Sequence, residues 1–291
     1  MMPRAYFDTQ VYDRIAKGEI PDEDVEALRP LIARRKITAH LSVVDVEELL
    51  GEWTTDPAAA IRKIIVARDL VGFNEILKQP RDILTDAIHS YAEGVAQPSP
   101  FLAANERDAV VAGLHRLISG DAGMNAVVSD IVRSVCAIKQ QFVDEMLAAC
   151  GQARADWQSV DADRRRETTF AVYWQAGALQ WAEDYTAGLV ERRYVERCRD
   201  RGFGTLLDIR PVRLCVGATM SWIFSVVVGD GNAPRQPRRT DGYDLWHATT
   251  ASAADLFVTY DKRLADLVER VPIDNFRVVR SLSELLRGSL C

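Results

Sequence analysis

The chain is poor in the residues that disulfides and soft metals require. Its 291 residues include five cysteines and four histidines. Cys136, Cys150, Cys198, Cys215 and Cys291 are scattered, odd in number and never spaced C-x-x-C, so neither a disulfide framework nor a zinc knuckle is supported. His40, His89, His115 and His247 show no ligand spacing, which removes a histidine zinc site. Long hydrophobic runs are also missing. The longest, "CVGATMSWIFSVVVG" at 215–229, is too short to span a bilayer and reads as a buried helix, either core or a dimer face. "MMPRAYFD" reaches an aspartate before any apolar stretch, so the expectation is a cytoplasmic protein with no membrane partner. An excess of positive charge is absent too: the formal net charge is −6, so a phosphate-bearing partner needs a local basic patch or a bound metal.

What is present is a globular composition, 48% hydrophobic and 27% charged, enough to bury a sizeable core. No repeat or low-complexity tract occurs. Residues 1–56 contain two β-like segments, "RAYF" and "ITAHLS", each followed by helical periodicity. Residues 205–291 give a helix, the strand "DLFVT", the helix "DKRLADLVER" and the strand "FRVV". Ser281 and Glu284 then have the spacing of a capping box. Strands alternating with helices predict an α/β fold with a mostly parallel sheet flanked by helices.

Residues 57–204 differ. Asp56-Pro57 reads as an N-cap and first-turn pair, and no strand follows it. Ile131, Val135, Ile138, Phe142 and Met146 recur at helical spacing, as do Trp174, Trp181, Tyr185 and Leu189. "AQPSP" and "SGDAG" separate helices. The expected organisation is an α/β domain built from 1–56 plus 205–291, with an all-α insertion at 57–204.

Two of the predicted strands end in acids: Asp8 follows "AYF" and Asp261 follows "LFVTY". Ligands of open parallel sheets bind outside the carboxyl ends of the strands, so neighbouring strands would aim both side chains into one crevice. Glu47 and Glu48 in "SVVDVEELLG" and Asp244 in "DLWHATTASAAD" could join them. Two unit charges about 4 Å apart repel by ~4 kcal/mol at an effective dielectric near 20. Protonating one acid or binding a cation relieves this. Hard oxygen donors suit Mg²⁺ or Mn²⁺. Each acid alone has a plainer reading: Asp244 and Asp261 as helix caps, the glutamates as solvated helix charges, Asp8 as a turn residue.

The ordered set resembles the PIN-domain nuclease family. "YFDTQVY" matches its strand ending in Asp-(Ser/Thr) at Asp8 and Thr9. Ser42 followed by "VVDVEELL" matches its serine and Glu-Leu helix at Glu48, Asp244 its helix-initial aspartate, and "LFVTYDKRL" its Thr-x-Asp at Thr259 and Asp261. The resemblance covers about half the chain. It implies a PIN-like fold in which Asp8, Glu48, Asp244 and Asp261 bind Mg²⁺ or Mn²⁺ and catalyse hydrolysis of RNA, single-stranded RNA above all, or of DNA. It also implies that Thr259 orients the metal site. Glu47 is the register alternative to Glu48, and Asp241 the alternative to Asp244. Gln10 departs from the family's smaller Asn or Ser. The helical insertion has no counterpart in the family's small toxin nucleases, so their substrate rules do not transfer.

Other features take supporting places. Asp8-Thr9-Gln10 fails the pattern of haloacid-dehalogenase-type phosphatases, which need a second aspartate where Gln10 stands. His247 shares a helix face with Asp244 and could contact phosphate or metal, or pack at the pocket's edge. Arg235, Arg238 and Arg239 in "NAPRQPRRTDGYD" could form a phosphate-binding arm or an ordinary solvated loop. The tryptophan stripe could stack bases, but its spacing is that of a helix–helix core. The competing expectation is a catalytically silent PIN-like scaffold that binds a partner protein or nucleic acid. Its insertion would then supply the partner surface or a homodimer face.

Overall fold

A computed structural model describes residues 2–229 and 234–289. Cys291, and Asn232 and Ala233 of the arginine loop, lie outside the described residues. Five strands form one sheet: β1 (Arg4–Phe7), β2 (Thr38–Ser42), β3 (Ile76–Leu77), β4 (Leu256–Val258) and β5 (Arg277–Val279). Their order is β3-β2-β1-β4-β5 and every pairing is parallel. The fold is α/β, a parallel sheet flanked by helices, consistent with a PIN-like sheet carrying helical additions. The four strands read from the sequence are all present. β3 falls in the region expected to be wholly helical, and its two residues are too few to show an alternation.

Strand alternation explains the two covered faces. Ala5, Phe7, Ala39, Leu41, Val258 and Val279 point into one cluster with the helices Thr9–Ala16, Asp22–Ala33, Pro57–Val71 and Leu282–Ser289. Tyr6, Phe257 and Val278 point to the other side, against the helices Arg210–Ile223, Asp241–Ala251 and Lys262–Glu269. A sheet covered on both faces needs strands without a polar face, and "AYF" and "LFV" supply them.

The apolar run at 215–229 is core. Leu214, Ala218 and Trp222 face the sheet-side cluster, whereas Val212, Val216 and Met220 pack against Leu84, Ile88, Ala178 and Ala182. A helix clamped between a sheet and a second helical layer must be apolar all round. Arg210–Val228 is long and apolar enough to cross a membrane, but 78% of its apolar window is buried inside the protein, the packing of a soluble protein's core helix. Trp174, Trp181, Tyr185 and Leu189 are partly buried against the same outer cluster, so the aromatic stripe is helix–helix packing.

The helix Met124–Ser159 has 36 residues and is about 54 Å long at 1.5 Å per residue. Met124, Val128 and Val132 join the cluster on one face of the sheet, and Cys150 joins the cluster on the other. The helix therefore passes from one side of the sheet to the other, with Val135 midway beside Val44 and Tyr243. Its buried line differs from the expected stripe at one position: Ile138 is 44% exposed.

Close packing shows at Gly217, where an added Cβ would lie 2.4 Å from Val271 Cγ1 and 3.1 Å from its Cβ. Alanine gains up to about 1 kcal/mol in helix propensity over glycine. Overpacking costs about 1–3 kcal/mol, and rotating Val271 cannot move its own Cβ. Gly217→Ala is therefore expected to destabilise the fold by about 1–2 kcal/mol, read from the midpoint of urea unfolding.

Candidate acidic site at the carboxyl end of the sheet

β1 leads toward β2 on one side and β4 toward β5 on the other, so the switch point of the topology lies between β1 and β4. Phe7 pairs with Val258, and the Asp8 amide donates to the Val258 carbonyl at 3.0 Å. This register sets Asp8 beside Thr259, whose hydroxyl donates to Asp8 Oδ2 at 2.6 Å and accepts from the Asp261 amide at 3.0 Å. Thr259 thus links the two strand-end acids, and its orienting role falls on Asp8.

Asp8, Glu48, Asp244 and Asp261 line one cleft of about 240 Å³, with Thr9, Gln10 and Thr240. The four acids singled out in the sequence are therefore brought together. Asp8 is 3% exposed, and burial raises its pKa against the lowering influence of His247 and Thr259. Asp261 caps the helix that follows it: Oδ1 accepts from the amides of Arg263 and Leu264 at 2.7 and 3.0 Å. Gln10 Nε2 donates to its Oδ2 at 3.2 Å, so the longer side chain at this position reaches across to the second strand. The Asp244 carboxylate receives no hydrogen bond from the described residues. Burial, then the charges of Asp261 and Asp8, push its carboxyl up to about 8.

Glu48 arrives on the helix Val43–Leu49, which starts directly after β2 with a capping box between Ser42 and Asp45. Both of its oxygens are engaged. Oε1 accepts from Lys139 Nζ at 2.9 Å, and Oε2 lies 2.8 Å from His247 Nε2 and 2.8 Å from the Thr9 hydroxyl. Burial would raise its pKa, but the hydrogen bond and charge of His247, then Lys139, outweigh burial and hold it at about 2. Glu47, the alternative register, faces elsewhere: it accepts from Gln79 at 2.7 Å and from the Tyr243 hydroxyl at 3.2 Å.

His247 is 1% exposed and packs behind Glu48 and Asp8 without lining the cleft itself. Its Nδ1 lies 2.6 Å from the Tyr6 hydroxyl, which is 3.1 Å from Asp45 Oδ1. Burial lowers its pKa, yet Glu48, Asp8 and Asp45 together outweigh burial and raise it to about 10, favouring the charged ring. Asp8, Glu48 and His247 offer donor atoms within 4.8 Å of one another. With three carboxylates around it, His247 serves as their counter-ion in this arrangement.

Asp241 is not a substitute for Asp244. Fully buried, it accepts from Trp222 Nε1 at 2.8 Å, the Arg238 amide at 2.9 Å and Arg235 Nη1 at 3.0 Å. It anchors the arginine loop. Arg235 pairs with this buried carboxylate, so its guanidinium already has an anionic partner within the chain. Arg239 reaches Gln140 at 2.9 Å. Arg238 is exposed, without a side-chain partner among the described residues.

Sequence reading missed Tyr6, Asp45 and Lys139. Asp45 carried a signal, the S-x-x-D spacing of a capping box. Burial pushes its carboxyl up to about 7 against His247 and Ser42. Lys139 carried none, since 91 residues separate it from Glu48. Lys63 was also missed. It is 7% exposed in the same cleft, with Nζ 2.6 Å from Asp13 and 2.8 Å from Glu52.

The loop anchor is testable. Arg235→Ala leaves Asp241 buried without its guanidinium and is expected to cost about 2–3 kcal/mol in chemical denaturation. An arginine kept only for phosphate would leave stability unchanged. No protein-family model, curated protein or solved structure matches the chain.

Proposed function

We propose that the chain is a metal-dependent phosphodiesterase that hydrolyses RNA, in the manner of the PIN-domain nucleases its motifs resemble. The observation that carries this reading is the meeting of Asp8, Glu48, Asp244 and Asp261 in one cleft at the switch point of a parallel sheet. The donor set fits a hard cation. All four ligand groups are carboxylates, and burial, then the charges of Asp261 and Asp8, push the Asp244 carboxyl up to about 8, a condition that a bound cation would relieve.

When bound there, Mg²⁺ or Mn²⁺ would acidify a water and offset charge on the leaving oxygen. The chain's own residues do the positioning. Thr259 fixes Asp8, two helix amides and Gln10 fix Asp261, and Thr9 lies between Asp8 and Glu48, 3.2 and 2.8 Å from their oxygens. Arg238, exposed on the loop that leads into the Asp244 helix, is the cation left to meet a substrate phosphate. The substrate is single-stranded RNA, with DNA as the alternative, and the setting is the cytoplasm. Cys136, Cys150, Cys198 and Cys215 are free thiols, in keeping with a reducing compartment.

A second reading, a catalytically silent scaffold, is favoured by one observation: Lys139 and His247 already occupy both oxygens of Glu48. End-labelled single-stranded RNA and DNA incubated with Mn²⁺ separate the two. Wild type is expected to cleave, and Asp8→Asn and Asp261→Asn to lose at least about a hundredfold in rate with unchanged circular dichroism. Equal cleavage by all three proteins, or by none, would reject the assignment of these acids.

A further inference from the structure

Lys139 lies on the helix Met124–Ser159 and, alone among that helix's described residues, bonds into the acidic site. Its ammonium is held from two sides. Nζ lies 2.9 Å from Glu48 Oε1 and 4.0 Å from the centre of the Tyr243 ring, so the ion pair is reinforced by a cation–π contact. Tyr243 is itself held by its hydroxyl on Glu47, and Glu47 by Gln79. The lysine side chain is 22% exposed and Glu48 17% exposed. The pair is thus shielded from water more than an ordinary surface ion pair, whose worth is small.

Glu48 has two oxygens and two cationic partners, and these partners differ in kind. His247 is buried, bonded through its other nitrogen to Tyr6 and close to Asp8 and Asp45, and cannot leave without exposing several charges. Lys139 is attached by a flexible four-carbon stem and has a path to solvent. Oε2 is the oxygen turned toward Thr9 and Asp8, so a hard cation that takes Glu48 as a ligand competes with Lys139 for the charge of the carboxylate rather than for one oxygen.

We propose that Lys139 is a built-in counter-ion of the acidic cleft, which neutralises Glu48 from outside the cleft and lowers the cleft's affinity for a divalent cation by competing for the charge of that carboxylate. This rests on the reading of the cleft as a divalent-cation site. The physical logic is exchange. An ammonium and a divalent ion both neutralise Glu48, but the ion also neutralises Asp8, Asp244 and Asp261, so it wins only above a concentration that Lys139 sets. Affinity for a ligand falls by whatever free energy is spent displacing a contact already made. The long insertion helix thereby acts on the site without touching substrate. Its Lys139 is a positioning residue whose effect is on metal affinity.

Mn²⁺ titrated calorimetrically into the full chain, without substrate, tests this. Lys139→Met keeps the length and helix propensity of the side chain and removes the charge, and is expected to bind Mn²⁺ about tenfold more tightly. Lys139→Arg keeps a cation on Glu48 and is expected to stay within about twofold of wild type, which guards against a merely structural effect. Circular dichroism checks the fold of both variants. If wild type binds Mn²⁺ and Lys139→Met binds it equally or more weakly, competition by Lys139 is refuted while the cleft remains a cation site. Failure of wild type and Lys139→Met alike to bind Mn²⁺ would refute both the cation site and the role given to Lys139.

Discussion

Mutual repulsion among Asp8, Glu48, Asp244 and Asp261, gathered at the carboxyl ends of β1 and β4, governs what the side chains around them must be. Each pair about 4 Å apart costs ~4 kcal/mol at an effective dielectric near 20, and burial raises the cost. The protein offsets it in three ways. His247 and Lys139 bring positive charge to Glu48. Backbone amides and hydroxyls solvate Asp261 and Asp8. Asp244, which has neither, has its carboxyl pushed up to about 8.

The helix Asp241–Ala251 shows how one element serves several demands. Asp244 and His247 face the acidic site, Asp241 turns inward to anchor the arginine loop, and Leu245, Ala248 and Ala251 pack under the sheet. Gly242 lets Phe142 of the long helix approach, since a Cβ there would meet the ring at 2.9 Å. That approach helps hold Met124–Ser159 against the site and so bears on the place of Lys139. Packing and electrostatics are coupled here through a glycine.

Much of the architecture was legible. "RAYF", "ITAHLS", "DLFVT" and "FRVV" read as strands because runs buried on both sides of a parallel sheet are apolar without a polar face. Asp8, Asp261 and Asp244 drew notice because they follow strands or begin a helix, and the four acids read as a set because their order resembles the PIN-domain pattern, in which Glu48 lies inside the helix after β2. Ile76–Leu77 was not legible, because two residues carry no period. Ile138 was misplaced because helical spacing marks a face to within about a third of the circumference, and only the packed neighbours choose its edge.

The sequence by itself determined the parallel α/β layering and the strand-end position of Asp8 and Asp261, which follow from local periodicity and the direct succession of strand and helix. The choice of Glu48 and Asp244 as their companions came from the resemblance of the ordered motifs to the PIN-domain pattern. Tertiary structure alone decided that β1 and β4 are neighbours and that Arg235 serves Asp241. It also decided that His247 is a buried cation, and that Lys139, 91 residues from Glu48, closes on it. These are contacts between segments remote along the chain. Their charges are set by burial and by one another, and neither quantity exists until the helices have packed.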